Sequence, residues 1–92
     1  MADFYTTTAT HTGPEQFSVT NGTTTVTSDA SFRPTELLLA SLSSCILWTV
    51  VDFAERNAIE LSGEASVTAA GTMTNRPRRM GEIRVELRLP RA

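Results

Sequence analysis

The chain has no lysine, one cysteine, one histidine and one tryptophan among its 92 residues. A single cysteine, Cys45, cannot close an intrachain disulfide. With only His11 beside it, it cannot supply the Cys/His set of a structural zinc site, so neither a metal nor a cofactor is expected. All eight cations are arginines, and the net charge of −2 gives no long-range pull on nucleic acid. The N-terminal MADFYTTT has no basic stretch followed by an apolar run, so no secretory leader is expected. A domain of this length buries only roughly 60–65% of its unfolded surface and needs a disulfide, a metal or a partner chain. Oligomerisation is the stabiliser that remains.

One long apolar run is present. Leu37 to Val51 reads LLLASLSSCILWTVV, without a charge, and contains Cys45. Its length favours a helix over a strand. A helix that is apolar nearly all round belongs in a core, and this chain has little material to wrap one. A second copy of the chain is the expected cover. The fifteen residues reach roughly 22 Å, short of the ~30 Å of a bilayer core. Ser41, Ser43, Ser44 and Thr49 weaken a membrane reading further. A soluble, reducing, cytoplasmic setting follows.

The rest reads as strands. Residues 1–30 are rich in Thr, Ser, Val and Phe, and Phe17 and Val19 alternate with Ser18 and Thr20. Gly13-Pro14 marks a turn, and Asn21-Gly22 is a strong two-residue hairpin signal. Strands are predicted near 3–11, 15–20 and 23–28. Pro34 suits the first helical turn, with Glu36 near the positive end of the dipole. Thr35 is a possible cap and Arg33 a poor one. Asp52, Glu55, Arg56 and Asn57 restore polarity, and Asn57 suits a left-handed cap. Ile59 and Leu61 begin another extended stretch, continued by Ala65, Val67 and Ala69. Residues 74–79 read as a polar turn. In the last strand Ile83, Val85, Leu87 and Leu89 alternate with Glu82, Arg84, Glu86 and Arg88, a half-buried pattern stopped by Pro90. The order β-β-β-α-β-β predicts a single α+β domain over 1–92, with the helix packed on a sheet.

The segment Pro34-Thr35-Glu36-Leu37-Leu38-Leu39-Ala40-Ser41-Leu42-Ser43-Ser44-Cys45 resembles the start of the core helix of the OsmC/Ohr family. The flanking meander and hairpin agree with it. The resemblance implies an intertwined α+β homodimer with two central helices wrapped by sheets of both chains. It implies a thiol peroxidase that reduces organic hydroperoxides in oxidative stress defence, with Cys45 as the peroxidatic residue. Three positions depart from the family pattern. The glutamate expected directly after the proline is Thr35, and Glu36 follows one place later. Nine positions before Cys45, Glu36 lies about 180° away on an ideal helix. This spacing resembles the YhfA-like branch. The arginine of the early strand turn has no match in Gly13-Pro14-Glu15-Gln16. The region that carries the family's resolving cysteine is not within these 92 residues, which reads as a short form or a piece lacking the C-terminal half.

Cys45 thus has two readings: a small apolar residue in a helix interface, or a peroxidatic thiolate. Arg33 lies twelve positions from it, about 18 Å along a helix, and in an antiparallel dimer it reaches the partner's thiol instead. Ser41 and Thr49 at i±4 share the face of Cys45, and Trp48 at i+3 is adjacent. These three are candidate substrate contacts, although Trp48 suits core packing and helical hydroxyls often bond their own backbone. His11 pairs with no carboxylate and reads as an ordinary strand residue. Arg76, Arg78 and Arg79 form a solvated turn without aromatics to stack on bases, so no nucleic-acid partner is expected. Two function classes remain: a peroxidase acting on small hydrophobic peroxides with an external thiol reductant, and a non-catalytic OsmC-like domain for dimerisation or small-ligand binding.

Overall fold

The computed structural model describes residues 3–61 and 63–90. The order is β1 (Thr8–Gly13), β2 (Gln16–Thr20), β3 (Thr25–Ser28), α1 (Pro34–Arg56), β4 (Ser66–Thr74) and β5 (Arg79–Arg88). This is the α+β order that the patterning predicts. The chain divides into two compact units, Met1–Leu37 and Leu38–Ala92.

In the first unit the three strands form an antiparallel meander in the order β1-β2-β3. β1 starts at Thr8, not near residue 3. Thr8 pairs with Thr20, the last residue of β2, so earlier residues have no ladder to join. Phe4 and Tyr5 are accordingly exposed. The β1–β2 turn places Pro14 before Glu15, whose φ is 52°. That is the pattern of a type II turn, proline first and a left-handed residue second. The Asn21-Gly22 hairpin also differs from expectation. The loop is longer, because β3 begins at Thr25, and only Gly22 has positive φ. Asn21 instead turns its side chain inward: its Oδ1 accepts the amides of Thr23 and Thr24, both at 2.9 Å. This Asx turn outcompetes the tight hairpin.

A polar knot leads into the helix. Asp29 Oδ1 accepts the Ser31 hydroxyl at 2.6 Å and the Ser31 and Phe32 amides at 2.8 and 3.2 Å. The Ser31 hydroxyl first, then these amides, hold the Asp29 carboxyl below its usual range. Ser28, fully buried, donates its hydroxyl to the Phe32 carbonyl at 2.9 Å. The helix cap is Arg33, not Thr35. The Arg33 carbonyl accepts the amides of Glu36 and Leu37, and Glu36 Oε1 accepts the Arg33 amide at 3.0 Å. Glu36 therefore supplies the glutamate half of a capping box.

In the second unit the helix closes with a Schellman arrangement. The Ala58 amide donates to the Glu55 carbonyl and the Ile59 amide to the Ala54 carbonyl at 2.8 Å. The left-handed residue is Ala58, φ 53°, rather than Asn57. Asn57 stays helical, its side-chain amide donating to the Phe53 carbonyl at 2.8 Å. Committing the Ile59 amide to this cap takes it out of any strand, and Leu61 makes only a lone bridge. The extended stretch expected from Ile59 therefore begins at Ser66. Because Ala pays for the left-handed conformation and Gly does not, Ala58→Gly should stabilise the protein by about 1 kcal/mol. A thermal melt checks this; an unchanged or lower midpoint would contradict it.

β4 and β5 form an antiparallel hairpin, Ser66↔Arg88 to Thr74↔Arg79, with a bulge between Thr72 and Met73. Cross-strand pairs Val67↔Leu87 and Ala69↔Val85 lie along the ladder. The half-buried pattern expected for β5 is not met. Ile83, Val85, Leu87 and Leu89 are all exposed. The helix is likewise largely uncovered: Ala54, 5% exposed, is its one buried residue, whereas Trp48 is 80%, Phe53 62% and Leu38 55% exposed. The alternation and the apolar run are as read, but the described chain does not supply the cover that would bury them.

Candidate functional site

Cys45 sits midway along α1 with its side chain exposed. At 100° per residue, Ser41, Trp48 and Thr49 fall within about 60° of it round the helix, and all three are exposed. These are the residues that i±3 and i±4 spacing on a helix selects.

The hydroxyls around the thiol are engaged elsewhere. Ser41 Oγ donates to the Leu38 carbonyl at 2.7 Å, and Thr49 Oγ1 to the Cys45 carbonyl at 3.0 Å. Ser44 Oγ reaches the Ala40 carbonyl at 2.7 Å. Helical Ser and Thr commonly take this backbone option, so a thiolate would be met by these groups only after a rotamer change. Among the described residues no hydrogen bond reaches the Cys45 sulfur. Glu36 is held at the helix start by the Arg33 amide, and Arg33 Nε donates to the Ala30 carbonyl at 3.5 Å. Arg33 also lines a cleft of about 360 Å³ with Glu15, Phe17 and Asp29. His11 stacks on Phe17 across the β1–β2 ladder, with centroids 5.1 Å apart. Among the described residues no group of His, Cys, Asp and Glu could hold a metal ion.

A feature that the sequence reading did not single out lies beside Cys45. A cleft of about 530 Å³ is lined by Ser44, Leu47, Trp48, Val51, Asp52 and Glu55. A second, of similar volume, runs from Val51 and Glu55 past Ala54 and Ile59 to Leu61, with Glu60 on its rim. The two share Val51 and Glu55. The signal was present as the i, i+3, i+4, i+7 ridge from Ser44, but the acidic residues read only as the end of the helix.

The profile of the OsmC family, described as OsmC-like protein, matches residues 27–92. The chain belongs to the OsmC family. The match takes in the whole of α1, including Cys45, and the β4–β5 hairpin. Neither the curated proteins nor the solved structures gave a significant match. At 23 residues α1 is long and apolar enough to cross a membrane by length and composition, a test that the core helix of a soluble protein also passes. OsmC-like proteins are typically soluble.

Proposed function

We propose that this OsmC-family chain is a cytoplasmic thiol peroxidase that reduces organic hydroperoxides through Cys45. The observation that carries the reading is the exposed thiol at mid-helix in the family-matched segment, beside an apolar cleft. Buried structural cysteines are inert, whereas an accessible thiol can react. The Cys45 thiolate attacks the terminal oxygen of ROOH. The O–O bond breaks, sulfur is oxidised to the sulfenic acid, and the alkoxide leaves and takes a proton as ROH. An external thiol then condenses with the sulfenic acid, releasing water and forming a mixed disulfide. A second thiol frees Cys45 and leaves with the oxidised reductant. In this reading the reductant is an external thiol.

The working unit in this reading is a homodimer. Leu38, Leu42, Thr49 and Phe53 fall on one stripe of α1 at i, i+4, i+11 and i+15. The second copy covers this stripe and leaves the Trp48 side open, with Cys45 between the two. Arg33 of the partner is the cation assigned to the thiolate. Arg33→Ala should then slow alkylation of Cys45 by iodoacetamide by about threefold or more, with the fold intact. An unchanged rate would remove Arg33 from the site. Glu36, turned to its capping role, is the weaker candidate for organising the thiol.

Dimedone trapping after cumene hydroperoxide tests the reaction. A labelled Cys45 is expected. An unlabelled Cys45 under excess peroxide favours the alternative, a non-catalytic dimerisation or ligand-binding domain. The backbone engagement of Ser41 and Thr49 is the observation on that side.

A further inference from the structure

β5 is ten residues long, and among the described residues it pairs with β4 alone. Its second edge therefore presents amides and carbonyls that no strand takes up. A two-stranded ribbon is marginal in water by itself. Natural edges are commonly blocked by a proline, a bulge or a short length. From Glu82 to Arg88 this edge has no proline, and the bulge of the hairpin lies outside that stretch. One face of the stretch holds Ile83, Val85 and Leu87. The other reads Glu82, Arg84, Glu86, Arg88, alternating in sign. The other outer strands, β1, β3 and β4, hold no Asp, Glu or Arg, so β5 alone carries a charge code for a partner strand.

We propose that β5 pairs antiparallel with β5 of a second copy, centred on Val85, joining two hairpins into one four-stranded sheet. Faces must match across the new edge, so the twofold axis passes through a residue and not between two. Centred on Val85, Glu82 faces the partner's Arg88 and Arg84 faces the partner's Glu86, and each contact occurs twice. All four charged pairs are then opposite in sign. Centred one residue away, on Arg84 or on Glu86, three pairs of like charge are opposed. A parallel pairing in register opposes like charge at every charged position. Opposite charges across a ladder stabilise it and like charges do the reverse, so the charge row selects the Val85 register. The same register sets Ile83 against the partner's Leu87 and Val85 against its own copy. That extends the apolar face that Val67 and Ala69 begin on β4. The pairing rests on the homodimer proposed above in one respect: the partner that covers α1 also supplies this strand, so the mass stays at two chains.

The register is tested by cross-linking the full chain in a Cys45→Ser background, which removes the native thiol. Val85→Cys should form a covalent dimer on mild oxidation, because directly opposed residues lie within disulfide reach. Ile83→Cys alone should cross-link at least about tenfold more slowly, since its own copy sits four positions along, about 13 Å away. Co-expressing Ile83→Cys with Leu87→Cys should restore the fast rate. A second series needs no added cysteine. Glu86→Arg or Arg84→Glu alone should weaken association in sedimentation by about three- to tenfold at low salt, and added salt should narrow the loss. The double variant Arg84→Glu/Glu86→Arg should regain wild-type association. Rescue separates pairing between copies from the contact of Arg84 with Glu82 along one strand, at 2.8 Å, which the double variant cannot restore. A protein of dimer mass whose Val85→Cys variant does not cross-link would overturn this pairing and leave the homodimer reading standing. A fast cross-link at Val85→Cys with Phe53→Asp still dimeric supports the pairing and removes the covered α1 stripe. Equal rates at Ile83→Cys and Val85→Cys, or a charge reversal that the double variant does not rescue, would also overturn the pairing.

Discussion

Replacing Cys45 by serine should abolish reduction of cumene hydroperoxide, by more than about 100-fold, because the sulfur is both nucleophile and electron donor. Met73 and Met80 can take oxygen as sulfoxides, but only once each, because a thiol reductant of the kind invoked here does not return them. The variant should keep its helical circular dichroism. Among the described residues Cys45 has no side-chain hydrogen bond to lose, and serine is close to it in size. Dimedone labelling should vanish with the activity. Peroxide consumption that persists in Cys45→Ser would place the chemistry elsewhere or outside the protein. Loss of activity together with loss of helix signal would call for Cys45→Ala as the cleaner comparison, with the same expectation.

Phe53→Asp should have the largest effect on assembly. Phe53 is 62% exposed in the single chain. In a protein that works as a lone protomer, a substitution at such a site changes stability by about 0.5 kcal/mol or less. In the proposed dimer each copy loses an interface aromatic worth about 2–4 kcal/mol and gains a carboxylate where water is excluded. Two such changes per dimer should weaken association by at least ~100-fold, since each 1.4 kcal/mol is a factor of ten. Sedimentation of Phe53→Asp should therefore show a shift towards monomer or a loss of soluble protein, with an earlier thermal transition. A variant indistinguishable from the wild type in both would argue against Phe53 lying in a covered stripe. Leu42→Asp, on the same stripe, should behave alike.

Much of this was legible in the chain because period is a local property. The two-residue alternation of Ile83 to Leu89 and the uncharged run from Leu37 to Val51 are enough to place β5 and α1 in order. What failed was decided by hydrogen bonds that periodicity does not encode. Asn21 spent its side chain on two amides and lengthened the hairpin loop. Glu36 reached back to cap Arg33. Ala58 took the left-handed turn that Asn57 was better suited to, because the helix ran one residue further before reversing. The cover over the apolar faces of α1 and β5 was inferred from a pattern that implies burial, yet burial depends on what lies opposite. For the site, helical spacing puts Ser41, Cys45, Trp48 and Thr49 on one side of α1. Spacing says nothing of where a hydroxyl points, and Ser41 and Thr49 point to the backbone. It also did not single out the cleft lined by Ser44, Leu47, Trp48 and Val51.

The account rests on the Leu38–Phe53 stripe of α1 being covered by a second protomer, since its own chain leaves Leu38 and Phe53 in water. Mass measurement by sedimentation equilibrium at micromolar concentration tests this most directly. The chain has a mass of 10.0 kDa, and the account predicts twice that value, held on dilution through the low micromolar range. A stable, helical species at the single-chain mass would contradict it.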